Sequence, residues 1–157
     1  MKRYLWCDID STVNDHWRRI KRNTDGTRIY SSAWSYDEIM KDEPLHHAVK
    51  ANNLLFEKYN LSFVTARGFD GALRVTQDWL NIHKFKYNNI VIVKNMKEKV
   101  EFILDTTCHI LIDDMTTGQE RCRNNLTFHI EHIARLARKG IRVVWNINWD
   151  KILKALI

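Results

Sequence analysis

Five short runs rich in Val, Ile, Leu and aromatic residues punctuate the chain, at 3–9, 61–65, 89–93, 108–112 and 141–146. Their apolar residues stand largely side by side rather than alternating with polar ones, the pattern of strands buried on both faces of a parallel sheet. Helical spacing fills the gaps. Pro44 is well placed at a helix start, and Leu45, Val49, Leu54 and Leu55 form a stripe running to Tyr59. Leu73, Val75, Trp79 and Leu80 mark a second helix after the Arg67-Gly68 break. A third is predicted over 97–104, a fourth over 119–139 with Gly140 just past its end, and a short fifth over 150–156. Strands alternating with helices predict right-handed β-α-β units and an α/β fold: a three-layer, Rossmann-like open parallel sheet of about five strands. Trp6, Trp79, Trp145 and Trp149 read most simply as core or sheet-covering residues.

One stretch breaks the alternation. Residues 14–42 separate the first strand from the first helix and carry Arg18, Arg19, Lys21, Arg22 and Arg28 interleaved with Trp17, Tyr30, Trp34 and Tyr36. A connection this long inside a compact domain is usually functional or disordered, and its aromatic content argues for a folded flap or small cap. Nothing else divides the chain: there are no repeats, no low-complexity segments and no linker, so 1–157 reads as a single domain with 14–42 inserted.

Bulk properties sharpen this only a little. A chain of 157 residues with 45% hydrophobic and 28% charged content suits one soluble domain with a real core. No apolar run approaches a membrane span, and the N-terminus lacks the pattern of a signal peptide. The three cysteines, Cys7, Cys108 and Cys122, are odd in number and lack metal-ligand spacing, which suggests reduced thiols in a cytoplasmic protein. The formal charge of +6 suggests a polyanionic or phosphate-bearing partner, while the lack of an apolar span suggests no membrane partner.

The chemistry lies where the strands run out. In open α/β sheets, ligands sit beyond the carboxyl ends of the strands near the switch in strand order. The first strand ends in Asp8 and Asp10, one residue apart and therefore on one face, followed by Ser11 and Thr12. The second ends in Thr65 and Arg67, the fourth in Asp113 and Asp114, and the helix before that strand opens with Lys97 and Lys99. Two close carboxylates repel unless a cation or shared proton lies between them. Four carboxylates with hydroxyls and ammonium groups favour Mg²⁺ bridging to phosphate oxygens. His129 and His132, three apart on a predicted helix, lack acidic or Cys company and read as surface or core residues.

Asp8-Ile9-Asp10-Ser11-Thr12, Val64-Thr65-Ala66-Arg67, a helix-borne lysine and Ile112-Asp113-Asp114 resemble, in order, the four motifs of the haloacid dehalogenase (HAD) superfamily of phosphohydrolases. The resemblance spans positions 8–114, and the final strand fits that family's five-stranded core. It implies Asp8 as the nucleophile that forms an aspartyl-phosphate. Mg²⁺ would be held by Asp8, the backbone carbonyl of Asp10 and an acidic residue after the fourth strand, with Asp114 favoured as direct ligand and Asp113 as its neighbour. Asp10 would be the acid and base, its pKa raised by neighbouring carboxylates. Thr65 and a lysine would bind the transferring phosphoryl group. Lys99 is favoured because fourteen residues separate it from Asp113, with Lys97 and Lys94 left open. Ser11 stands where many members have Gly, a variation also found in phosphatases of the superfamily.

For substrate, the insertion's cations could engage phosphates while its aromatics stack on bases. Ser11, Thr12, Arg67, Arg18 and Arg19 are the candidate substrate contacts. The stretch 74–80 also resembles the 3′-phosphatase domain of bacteriophage polynucleotide kinases, and small deoxyribonucleotidases share the four motifs. The expectation is a Mg²⁺-dependent phosphomonoesterase acting on nucleotides or 3′-phosphorylated nucleic-acid ends. Its rivals are a phosphatase of sugar phosphates or other small metabolites, and a non-catalytic nucleic-acid- or protein-binding module on the same fold.

Overall fold

The computed structural model of the chain describes residues 1–29, 33–116 and 127–157. Tyr30, Cys122 and the first part of the helix predicted over 119–139 lie outside the described residues. In chain order the elements are β1 (Tyr4–Cys7), the two-residue β2 (Asn14–Asp15), a 3-10 turn (His16–Arg18), α1 (Tyr36–Ile39), β3 (Glu43–Pro44) and α2 (Ala48–Lys58). They continue with β4 (Asn60–Ala66), α3 (Ala72–Ile82), β5 (Ile90–Val93), α4 (Met96–Asp105), β6 (Ile110–Ile112), α5 (Ile130–Arg138), β7 (Arg142–Val144) and α6 (Trp149–Leu156).

The five apolar runs form one sheet in the order β5-β4-β1-β6-β7, every pair parallel. β1 is central, and the chain order reverses beside it, between β1 and β6. Side chains alternate across the sheet. Leu5 and Cys7 enter the cluster built with Leu55, Trp79 and Ile152 from α2, α3 and α6. Trp6 enters the opposite one with Val100, Ile103 and Leu136 from α4 and α5. Both faces are therefore covered, which is why the strands read as unbroken apolar runs. The register sets the rim: Cys7 is level with Phe63 of β4 and Ile112 of β6. One or two residues further on, Asp8 and Asp113 leave the sheet at the same edge that Thr65 reaches near the end of β4.

Pro44 does not open a helix. It pairs with Asn14 in a two-stranded antiparallel stem, β2 with β3, that closes the 14–42 insertion at its base. Leu45 completes the stem by donating its N–H to Val13 O at 2.8 Å. The helix begins four residues later, at Ala48, and its buried stripe is Ala48, Ala51, Asn52 and Leu55, with Leu54 exposed. Trp6, Trp79 and Trp149 are buried as expected, but Trp145 stands 39% exposed just past the end of β7.

After β4 the chain must turn tightly beside the loop that follows β5. A Cβ on Gly68 would lie 3.0 Å from Lys94 O and 3.1 Å from Lys94 Cα, both backbone atoms that cannot swing aside. Gly68→Ala is expected to lower stability by about 1–3 kcal/mol, as overpacking does, and a denaturant or thermal melt measures it directly.

Candidate active site

Beyond Cys7, the chain wraps around one acceptor. The amides of Thr12, Val13 and Asn14 all donate to Ile9 O, at 3.0, 2.9 and 3.3 Å. The tight loop puts Ser11 at φ +64°, in the left-handed region that Gly adopts without strain. Ser11 is held there from three sides. Its amide donates to Asn14 Oδ1 at 2.9 Å, Trp17 Nε1 donates to its Oγ at 2.7 Å, and its Oγ lies 3.1 Å from His16 Nδ1. The side chain thus offsets a conformation that would favour Gly, by tying the start of the insertion to the loop.

The loop delivers Asp8 to a buried cluster. Lys99, 3% exposed on α4, places its Nζ 2.7 Å from Asp8 Oδ1 and 2.8 Å from Asp113 Oδ2. Lys94 and Lys97 are exposed, so Lys99 is the lysine the fold brings to the carboxylates. Thr12 is fully buried between two acids: its hydroxyl donates to Asp8 Oδ2 at 2.9 Å and accepts the Asp114 amide at 3.1 Å. Asp113 Oδ1 accepts the Met115 amide at 2.8 Å, so both its oxygens are occupied. Among the described residues, the oxygens of Asp114 meet hydroxyls, Thr12 at 3.4 Å and Thr116 at 2.7 Å. Burial pushes the Asp8 carboxyl up. Lys99 draws it back and Asp113 and Asp10 push it further, leaving it at about 7. Burial, with Asp113 and Asp8 alongside, also lifts Asp114 well above the usual carboxylate range. Lys99 moves the other way: burial disfavours its charge, but Asp113 and Asp8 outweigh burial and raise it.

Asp10 departs from the expectation that crowding raises its pKa. Burial does push it up, but the Arg67 guanidinium overrides burial and holds the carboxyl far below its ordinary value, with smaller help from His16 and Asn14. The pairing is bidentate: Nε to Oδ2 at 3.0 Å and Nη2 to Oδ1 at 2.8 Å. Arg67 is 1% exposed and also donates to Thr76 Oγ1 at 2.8 Å. It is a buried partner of Asp10 rather than a free substrate contact. Asn14 Nδ2 donates both to Asp10 Oδ1 and to Asp42 Oδ2, each at 3.0 Å, and so links the acid to the base of the insertion.

The insertion's cations are placed differently from expectation. Arg19 grips Asp42 at 2.5 and 3.0 Å and Ala33 O at 2.6 Å, a staple across the insertion. Arg18 is paired with Asp15 at 3.2 Å, and its side chain is 78% exposed. Neither lines the cavity over the acids. That cavity, of about 310 Å³, is walled by Asp8, Asp10, Lys99 and Asp114 below and by His16, Arg28 and Trp34 from the insertion. Arg28 is buried and lies flat on Trp17, 3.1 Å from the ring centroid. His16 is buried too, and burial lowers it to about 4, which keeps its ring neutral near pH 7. His129, beside His132 at 5.3 Å between ring centroids, also reaches this wall. None of these was marked as a site residue by spacing alone. The clue was the insertion's position beside the first motif, not any local pattern.

Thr65 completes the floor. It is fully buried and lines the cavity, yet its Oγ1 is one of two buried side-chain polar atoms among the described residues without a hydrogen-bond partner. An unmet buried hydroxyl costs about 1–3 kcal/mol, and a ligand oxygen in the cavity would satisfy it.

No protein-family model matches the chain, and no curated protein matches it. Solved structures do match its fold. A hydrolase of the haloacid dehalogenase-like family from Streptococcus pneumoniae superposes with a TM-score of 0.58 at 14% identity, over 99% of this chain and 90% of that one. A chain in the Pnkp1/Rnl/Hen1 complex superposes with a TM-score of 0.56 at 12% identity over 92% of this chain, which spans 45% of its length. This chain has the haloacid dehalogenase-like fold. The switch point of that fold lies between β1 and β6, where Asp8, Asp113 and Asp114 converge.

The residues present fit a hard divalent cation. Oxygens of Asp8, Asp113 and Asp114 lie within 4.8 Å of one another, and one ammonium, Lys99, is the counter-charge in their midst. Asp10 is already matched by Arg67. Among the described residues the cluster is thus short of positive charge, and carboxylate oxygens are the donors Mg²⁺ prefers.

Proposed function

We propose that this chain is a Mg²⁺-dependent phosphomonoesterase acting through an aspartyl-phosphate on Asp8, on nucleotides or on 3′-phosphorylated nucleic-acid ends. The observation that carries this reading is the single point of convergence. Asp8 lies at the switch point with Lys99 on one oxygen, an unpartnered buried hydroxyl from Thr65 in the same cavity wall, and Asp10 alongside.

In this reading Asp8 attacks phosphorus, and the bond from phosphorus to the leaving alkoxide breaks as the Asp8–phosphorus bond forms. Lys99 and Thr65 hold the equatorial oxygens of the transferring group. Asp8, Asp114 and the Asp10 carbonyl would hold Mg²⁺, which supplies charge neutralisation of the phosphoryl oxygens. Asp114 is the better direct ligand because both Asp113 oxygens are taken by Lys99 and the Met115 amide. Asp10 gives a proton to the leaving alkoxide and then takes one from the water that hydrolyses the acyl phosphate. Arg67 opposes the first of these steps by favouring ionised Asp10. A dianionic phosphoryl group beside Asp10 works against Arg67 and raises its proton affinity. Arg28, at the cavity wall from above, is the insertion's cation for the phosphate, in place of Arg18 and Arg19.

Phosphate release from nucleoside 3′- and 5′-monophosphates, 3′-phosphorylated oligonucleotides and sugar phosphates, with and without Mg²⁺, tests the reading. Metal-dependent release that favours the nucleotides supports it. No release from any of them, or release unaffected by chelation, contradicts it. Metal binding also has a readout independent of turnover. Mg²⁺ at a hundredfold excess over its Kd is expected to stabilise the chain by about 2.7 kcal/mol, a rise in Tm of about 5–10 °C. Asp114→Asn should remove most of that rise.

A further inference from the structure

A second cavity, of about 380 Å³, opens beside the catalytic one and shares Ser11 and Asp114 with it. Its remaining wall is aromatic and aliphatic, with Trp17, Phe128 and Trp145 beside Leu45 and Ile147, and Asn146 contributes an exposed carboxamide. No step of the proposed reaction uses these residues. Phe128 and Trp145 meet edge to face with ring centroids 4.9 Å apart, an arrangement that leaves aromatic surface for a third ring. Trp145 is 39% exposed, although its neighbours Trp6 and Trp149 in the tryptophan set are buried.

Trp17 divides the two spaces. Its N–H is tied to Ser11 Oγ at 2.7 Å, and Arg28, which lines the catalytic cavity, covers its ring at 3.1 Å from the centroid. A cation on the phosphate side and an apolar wall of Phe128, Trp145, Leu45, Ile147 and the edge of the buried Trp17 on the other suit a ligand that is anionic at one end and flat at the other. A flat ring with a polar edge, joined through a short linker to a phosphate, is a nucleoside phosphate.

The direction of the leaving group selects this cavity over its rival. The leaving oxygen must lie beside Asp10, and the next residue, Ser11, stands in both walls. A third cavity, of about 410 Å³, shares Trp34 alone with the catalytic one among the described residues, and that ring already stacks on Phe69 with centroids 5.9 Å apart.

Resting on the phosphomonoesterase reading, we infer that the aromatic cavity is a base-binding subsite. The nucleobase of a nucleoside monophosphate, or of the terminal nucleotide of a phosphorylated strand, stacks among Trp17, Phe128 and Trp145 while its phosphate lies at Asp8. Asn146 offers a donor and an acceptor to the base edge.

The test compares Mg²⁺-supported phosphate release from adenosine 3′-monophosphate, a 3′-phosphorylated tetranucleotide and glycerol 2-phosphate in wild type, Trp145→Ala and Trp145→Phe. The ratio of kcat/KM for each nucleotide over glycerol 2-phosphate is expected to fall about tenfold in Trp145→Ala, the scale of one lost base–aromatic stack, and to recover in Trp145→Phe. An unchanged ratio, or equal loss on all three substrates, overturns the subsite. A higher kcat/KM for the tetranucleotide assigns the cavity to strand ends, and the reverse assigns it to free nucleotides; both support it. If wild type releases phosphate from none of the three, it is the phosphomonoesterase reading that fails. Adenosine alone then decides the subsite. Quenching of tryptophan fluorescence that weakens about tenfold in Trp145→Ala upholds it, and no quenching overturns it.

Discussion

Asp8→Asn is expected to lower phosphomonoester turnover by about 10⁴-fold or more, the scale on which loss of a covalent nucleophile is felt, while the chain stays folded. The geometry gives the variant an unusual second signature. Asp8 is 4% exposed in a cluster with Asp113 and Asp114, and burial, with Asp113 and Asp10 alongside and Lys99 opposing, has lifted its pKa to about 7. Charging it is therefore costly. The amide keeps the shape and can still accept from Thr12, while Lys99 keeps Asp113 as its partner. The metal-free melting temperature of Asp8→Asn should match or exceed that of wild type. An inactive variant that melts no earlier is what a residue kept for chemistry rather than stability produces. Steady-state kinetics and a thermal melt on the same preparation check both halves, and a large loss of stability would instead make Asp8 a structural residue.

Arg67→Met is expected to have the largest effect on folding. The guanidinium is 1% exposed and bonds both Asp10 oxygens and Thr76 Oγ1. Removing one partner of a buried ion pair leaves the other uncompensated, at a cost of about 3–5 kcal/mol. Adding Asp10→Asn removes the stranded charge, so the double variant should be more stable than the sum of the single changes by about 1–3 kcal/mol. Denaturant melts of the four proteins give that coupling. If the single changes simply add, Arg67 does not act through Asp10.

Much of the fold was legible because the sheet is buried on both faces. Runs such as Leu61, Phe63 and Val64, with Ile110, Leu111 and Ile112, cannot be amphipathic when helices cover both sides, so periodicity found all five strands. The candidate site was legible for a related reason. Asp8, Thr65 and Asp113 each follow directly on an apolar run, and parallel strands bring those ends to one edge. The misplaced features depend on partners far away in sequence. Arg67 is claimed by Asp10, 57 residues earlier, and Arg19 by Asp42, 23 residues later. Both look like free cations until the fold supplies those carboxylates. Arg28 differs little from Arg18 as a sequence position, yet the stem joining Asn14 to Pro44 helps fold the insertion so that Arg28 lies over Trp17 in the cavity wall while Arg18 is left in solvent. Pro44 reads as a helix start because its missing N–H suits one. The same absence suits the edge of a two-residue stem. Trp145 reads as a core or sheet-covering residue by its type, yet it follows β7 and stands 39% exposed.

The central claim is that phosphate passes through a covalent bond to Asp8. The most direct measurement is an acid quench of the enzyme during turnover of ³²P-labelled substrate with Mg²⁺, followed by peptide mapping and hydroxylamine treatment of the labelled protein. The expected result is label on the peptide that contains Asp8, released by hydroxylamine as an acyl phosphate should be, and absent from Asp8→Asn and from samples without Mg²⁺. Label on a different peptide, or full turnover by Asp8→Asn, would contradict it.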